Sequence, residues 1–80
     1  MLEYYYRRIK ELREDNDLTQ KQVAERLDQH ITTYRRWENG EHEVPAHIVV
    51  LLCYLYNVSA DYLLGITNEY TPLPKKKPSK

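Results

Sequence analysis

Apolar positions recur every three or four residues along most of this chain, a period that predicts helices rather than strands. From Glu3 to Glu14 the spacing runs Tyr5, Ile9, Leu12, with Leu2 and Tyr6 flanking, and predicts an amphipathic first helix broken by Asn16 and Asp17. Thr19, followed three residues on by Gln22, has the form of a capping box. A second helix therefore starts at Gln20, buries Val23, Ala24 and Leu27, and stops at Asp28, a residue type that tolerates the left-handed turn conformation. A third runs from Ile31 to Asn39 with Tyr34 and Trp37 facing inward, and Gly40 ends it. Pro45 suits the first turn of a fourth helix reaching Tyr56, whose Ile48, Leu51, Leu52 and Leu55 are expected to form the main core stripe. Ser59 caps a short fifth helix, Ala60 to Leu64, closed by Gly65.

The second and third helices are separated by a break of only a few residues, so they must cross closely. Ala24 falls at that crossing, where a larger side chain would push the third helix away at a cost of about 1–3 kcal/mol. With Tyr34 and Trp37 turned inward, Ile31, Thr32, Thr33, Arg35 and Arg36 are left facing outward. This is the spacing of a helix-turn-helix, which lays its second helix in the DNA major groove. Arginine donates two hydrogen bonds to guanine O6 and N7, and threonine or isoleucine methyls pack on the thymine methyl. A solvated charge pair is the plainer reading of Arg35 and Arg36.

The run LTQKQVAERL, then ITTYRRWENG, then VPAHIVVLLCYLYNVSADYLLG resembles the lambda-repressor-like family of phage and bacterial regulators over roughly residues 5–66. The resemblance implies an all-α fold, a five-helix bundle with helices 2 and 3 as its helix-turn-helix, and operator binding as a homodimer. Residue by residue, it implies base contacts at Ile31, Thr32 and Arg36 with Arg35 beside them. Phosphate contacts are implied at Gln20 and Asn39, and Arg13 and Glu38 match an architectural salt bridge. By position rather than resemblance, Lys21 and Thr33 are further phosphate candidates, with a solvated lysine an equal reading of Lys21. Gln20, at the start of the second helix, also stands where free backbone N–H groups favour an anion.

Three positions depart from the family pattern. Gln29 stands where an apolar turn residue is usual, which leaves Ile31 two readings, outward as a base contact or inward in compensation. His30 replaces the usual Ser or Thr cap and is a poorer cap by type. The loop after Gly40 reads EHEVP, and Glu41 and Glu43 repel phosphate.

Composition changes this picture in one respect. The formal net charge is zero, but the last ten residues carry four lysines and no acid, leaving residues 1–70 with 8 basic and 12 acidic groups, a net of −4. That balance keeps a second reading open, an antitoxin or protein-interaction module on the same fold with weak DNA binding. The Tyr4–Tyr6 cluster or the acidic surface would serve its protein partner. Residues 1–70 read as the DNA-binding domain and 71–80 as a disordered Lys/Pro-rich tail. A fragment of a larger regulator is the less favoured reading, since Met1 and the tail have the look of natural ends. The dimer surface is expected on the fifth helix and residues 66–70, where Leu63, Leu64 and Ile66 are many apolar groups for a chain end.

Other chemistry finds little support. His30, His42, His47 and the lone Cys53 form no metal-ligand spacing, and Cys53 sits in an apolar run suited to a buried small hydrophobe. With only two glycines there is no phosphate-binding loop, and Ser59 is a cap before it is a nucleophile. No catalytic residue, metal or cofactor is expected, and neither a membrane span nor a secretory signal is visible. The expected location is cytoplasmic and the expected partner double-stranded DNA.

Overall fold

A computed structural model describes residues 4–73. Among these the chain is all helical: α1 Arg7–Asp15, α2 Gln20–Arg26, α3 Ile31–Glu38, α4 Ala46–Tyr56 and α5 Ala60–Leu63. The most extensive packing joins α2 to α3, and α1 packs on both α3 and α5. One core runs through all five helices, built on Ile9, Leu12, Val23, Ala24, Leu27, Tyr34, Trp37, Ile48, Leu52, Cys53 and Leu63.

The helix ends share one device. Every helix is followed by a left-handed residue: Asp17, Asp28, Gly40, Asn57 and Gly65. After α3 the Gly40 N–H donates to the Trp37 carbonyl at 3.2 Å and the Glu41 N–H to the Arg36 carbonyl at 2.9 Å. This paired stop satisfies carbonyls that the helix end would leave open. After α2 the same pair runs from Asp28 to Glu25 at 3.1 Å and from Gln29 to Ala24 at 2.8 Å. The turn between α2 and α3 is thus a hydrogen-bonded stop followed at once by the His30 cap, which sets the angle between the helices.

Four expectations from the pattern are corrected. The first helix begins at Arg7, not Glu3: Tyr6 is extended and serves as its N-cap, and the Ile9 N–H bonds the Tyr6 carbonyl at 3.1 Å. Tyr5 consequently lies outside the helix and is 47% exposed. On α4 the inward positions are Ile48, Leu52, Cys53 and Tyr56, whereas Leu51 is 42% exposed. Because α4 is apolar on nearly every side, its period does not single out a face. Leu63, expected at a dimer surface, is fully buried in the core, while Leu64 is half-buried and Ile66 exposed.

The segment after α5 folds back over the bundle. Arg8 on α1 is only 5% exposed, donates to the carbonyls of Tyr62 (2.7 Å) and Thr67 and to Asn68 Oδ1 (2.6 Å), and lies 4.1 Å from the Tyr62 ring centre. Tyr62 meets Tyr70 edge to face at 5.5 Å, the Ser59 N–H donates to the Thr71 carbonyl at 2.9 Å, and Leu73 packs against the core. The lysine-bearing part of the expected tail, residues 74–80, lies outside the described residues.

Candidate nucleic-acid interface

Two helix starts and one buried carboxylate build this surface. Thr19 Oγ1 accepts from the Gln22 N–H at 3.0 Å, and Gln22 Oε1 accepts from the Thr19 N–H at 2.8 Å, so both bonds of the capping box are present. That box holds Gln20 and Lys21 at the first turn of α2. His30, a poor cap by residue type, does cap α3: its Nδ1 accepts from the Thr32 N–H at 3.2 Å.

Glu38, at the end of α3, is the anchor. Its carboxylate is buried and accepts from Arg13 Nε at 2.9 Å, Arg13 Nη2 at 2.9 Å, Tyr34 Oη at 2.6 Å and Gln20 Nε2 at 3.1 Å. Arg13 further donates Nη1 to the Leu18 carbonyl at 2.9 Å, which ties α1 and the loop before α2 into the same cluster. Burial alone pushes the Glu38 carboxyl up. The bonds from Arg13, Tyr34 and Gln20 outweigh it and hold the group below its ordinary value. The Glu38 bond in turn raises Arg13, and burial, followed by the Glu38 bond, raises Tyr34. A carboxylate joined by two parallel bonds to a guanidinium has a fixed plane, so α3 cannot roll against α1 without breaking them.

On this frame Thr32, Arg35 and Arg36 are exposed on α3, and Thr33 is half-buried beside them. Lys21 is exposed at the start of α2. Ile31 departs from its expected outward position: it is half-buried and packs against the core. That packing draws its side chain away from the exposed row of Thr32, Arg35 and Arg36. Gln20 is half-buried and spans the two helices, donating to Glu38 while Gln20 Oε1 accepts from Arg35 Nε at 3.2 Å. Asn39 is exposed as the C-cap of α3, and its Nδ2 donates to Glu41 Oε2 at 3.3 Å. Glu41 thus occupies one hydrogen of the Asn39 amide. Glu41 and Glu43 are both exposed.

Sequence reasoning missed the roles of Tyr34 and Arg8. Tyr34 reads as a core aromatic, yet its hydroxyl meets Glu38 four residues on, a spacing that puts both on one helix face. Arg8 lies four residues before Leu12 and so falls within an apolar stripe, the one signal that marked it.

The profile of a family described as helix-turn-helix matches residues 9–63, from the core isoleucine of α1 to the last residue of α5. The chain belongs to the lambda-repressor-like helix-turn-helix family. Members of this family are DNA-binding transcription regulators, typically without enzymatic activity. The chain is 34% identical over 73 residues to the uncharacterized HTH-type transcriptional regulator YobD of Bacillus subtilis (strain 168), covering 91% of this chain and 65% of that protein. It is 37% identical over 59 residues to the HTH-type transcriptional regulator ImmR of the same organism, covering 74% of this chain and 46% of that protein. The chain thus spans less than two thirds of the length of either relative. No solved structure matches it. No helix among the described residues is long and apolar enough to cross a membrane.

Proposed function

We propose that this protein is a sequence-specific transcriptional regulator, a repressor of phage or mobile-element type that binds a two-fold operator as a dimer in the cytoplasm. The observation that carries the reading is the exposed row Thr32, Arg35 and Arg36 on α3, carried by a helix that the Glu38 cluster holds against α1. Arg36 reads guanine through paired hydrogen bonds, and Thr32 offers a methyl and a hydroxyl to the base edge. Lys21, Thr33 and Asn39 meet phosphate on either side of the groove, with Gln20 at the start of α2. Ile31 contributes at most the edge of its side chain. Within the expected pairing surface, Ile66 and Tyr70 are exposed and available to a second copy.

Selection from a random duplex pool tests this reading. A two-fold consensus with half-sites about one helical turn apart is the expected result. Failure to enrich any sequence removes it. One observation favours a second reading: the net of −4 over residues 1–70, with Glu41 and Glu43 exposed beside the third helix, suits a module that binds a basic protein partner. The two separate by salt titration. A DNA reader loses affinity steeply as salt rises, and Arg36→Ala relaxes its base preference, whereas a protein-binding module shows neither.

A further inference from the structure

Within the DNA-binding reading, on which this step rests, we infer that Gln20 is a positioning residue that orients the Arg35 guanidinium for base recognition. The Glu38 carboxylate can only accept hydrogen bonds, so the Gln20 group 3.1 Å from it must be the amide nitrogen. The Gln20 oxygen is then turned toward Arg35, a group that can only donate, and accepts from Nε at 3.2 Å. Both ends of the amide are assigned by their partners, and a flipped Gln20 would face acceptor to acceptor and donor to donor. The chain of bonds runs from Arg13 and Tyr34 through buried Glu38 to Gln20 and ends on an exposed guanidinium.

This arrangement selects how Arg35 can bind. With Nε engaged, the side-on pairing through Nε and one Nη is closed, and the end-on pairing through the two Nη groups remains. An unrestrained surface arginine loses side-chain freedom on binding, about 0.5–1.5 kcal/mol for such a side chain. A guanidinium already held on one edge loses less. Gln20 keeps one amide hydrogen free, so a phosphate contact is compatible with the tether but does not explain it.

The test measures base preference at each operator position for the wild type, Gln20→Met, Arg35→Ala and the double variant, using the duplex that the wild type selects. Alongside it, the Arg35 Nε–H exchange rate is followed by NMR in the DNA-free protein. The Arg35 Nε–H should be protected in the wild type and exposed in Gln20→Met. Discrimination should fall about five-fold or more, the low end of a bidentate pair, at the one position that Arg35→Ala also flattens. The double variant should lose no more than Arg35→Ala alone. An equal loss on all sequences that adds fully to Arg35→Ala would make Gln20 a phosphate ligand only and overturn the inference. If Gln20→Met does not fold, Arg35→Lys keeps the charge and the Glu38 cluster but has no Nε. It must then flatten the same position, and an unchanged profile overturns the inference. Wild-type protein that selects no sequence defeats the regulator reading and this inference together, whereas selection with an unaltered Gln20→Met profile defeats this inference alone.

Discussion

Glu38 concentrates in one side chain what holds the third helix in place. It is buried, charged and bonded on both oxygens, so removing one partner leaves a charge stranded. Arg13→Ala should cost about 3–5 kcal/mol, read by thermal or urea unfolding at neutral pH. The same carboxylate predicts acid sensitivity. Its folded-state value lies below the ordinary 4.5, so its contribution is complete above that pH and disappears as pH falls through the lower, folded value. A series of melting temperatures from pH 7 to about pH 3 should show this acid limb in the wild type. Glu38→Gln should start lower at pH 7 and lose less on acidification. Tyr56 offers the opposite case. Its buried hydroxyl has no hydrogen-bond partner among the described residues, and burial pushes it up to about 12. Tyr56→Phe should therefore be neutral or stabilise by up to about 1 kcal/mol, and a clear loss of stability would contradict the missing partner. At this scale the sequence shows which residues are polar and outward, but not that Tyr34, Gln20 and Arg35 join one chain of bonds. The two Gln20 contacts span 15 and 18 residues and depend on the crossing of α2 and α3.

Short helices need defined ends, and here local chemistry was legible because it acts within four residues. Thr19, Asp28, Gly40, Ser59 and Gly65 all do what their types imply. Where several residue types serve equally, the reading slips. Tyr4–Tyr6 continue the helical period on paper, yet the chain turns extended at Tyr6 and its carbonyl opens the first helical turn instead. On α4 the uniform apolar composition hides which side faces in, and packing in the common core buries Leu52 while Leu51 stays exposed. The left-handed stops give a direct prediction. Asp28 has φ 56°, a conformation that costs an L-residue about 1–2 kcal/mol and glycine almost nothing. Since Asp28 is exposed, Asp28→Gly should stabilise by about 0.5–1 kcal/mol after the extra entropy of the unfolded chain is counted, measured as a rise in melting temperature. A fall would mean that the aspartate side chain, not its backbone, holds the turn.

Across the whole molecule the opposing features are an exposed α3 face with cations, the proposed DNA surface, and a body with excess acid. A duplex attracts the first and repels the second over about 10 Å at 0.1 M salt. Glu41 is the carboxylate best placed to matter, because its own N–H bonds the Arg36 carbonyl at 2.9 Å and its Oε2 takes the Asn39 amide. It therefore moves with the end of α3 and occupies a donor that phosphate would use. Replacing Glu41 and Glu43 together by Gln removes two negative charges without adding a cation, and it leaves the core and the Glu38 cluster untouched. DNA affinity at about 50 mM salt should rise on the order of ten-fold and should converge on the wild-type value by about 0.5 M, where screening removes the repulsion. Base preference should stay as it was, since neither glutamate lies on the exposed row of α3. Equilibrium titrations of one labelled duplex across that salt range distinguish the outcomes. A gain that persists at high salt would assign the effect to a weaker hold on the Asn39 amide by the neutral glutamine oxygen rather than to charge. No gain at any salt would place the loop away from the backbone, and it would turn the acidic surface toward a protein partner.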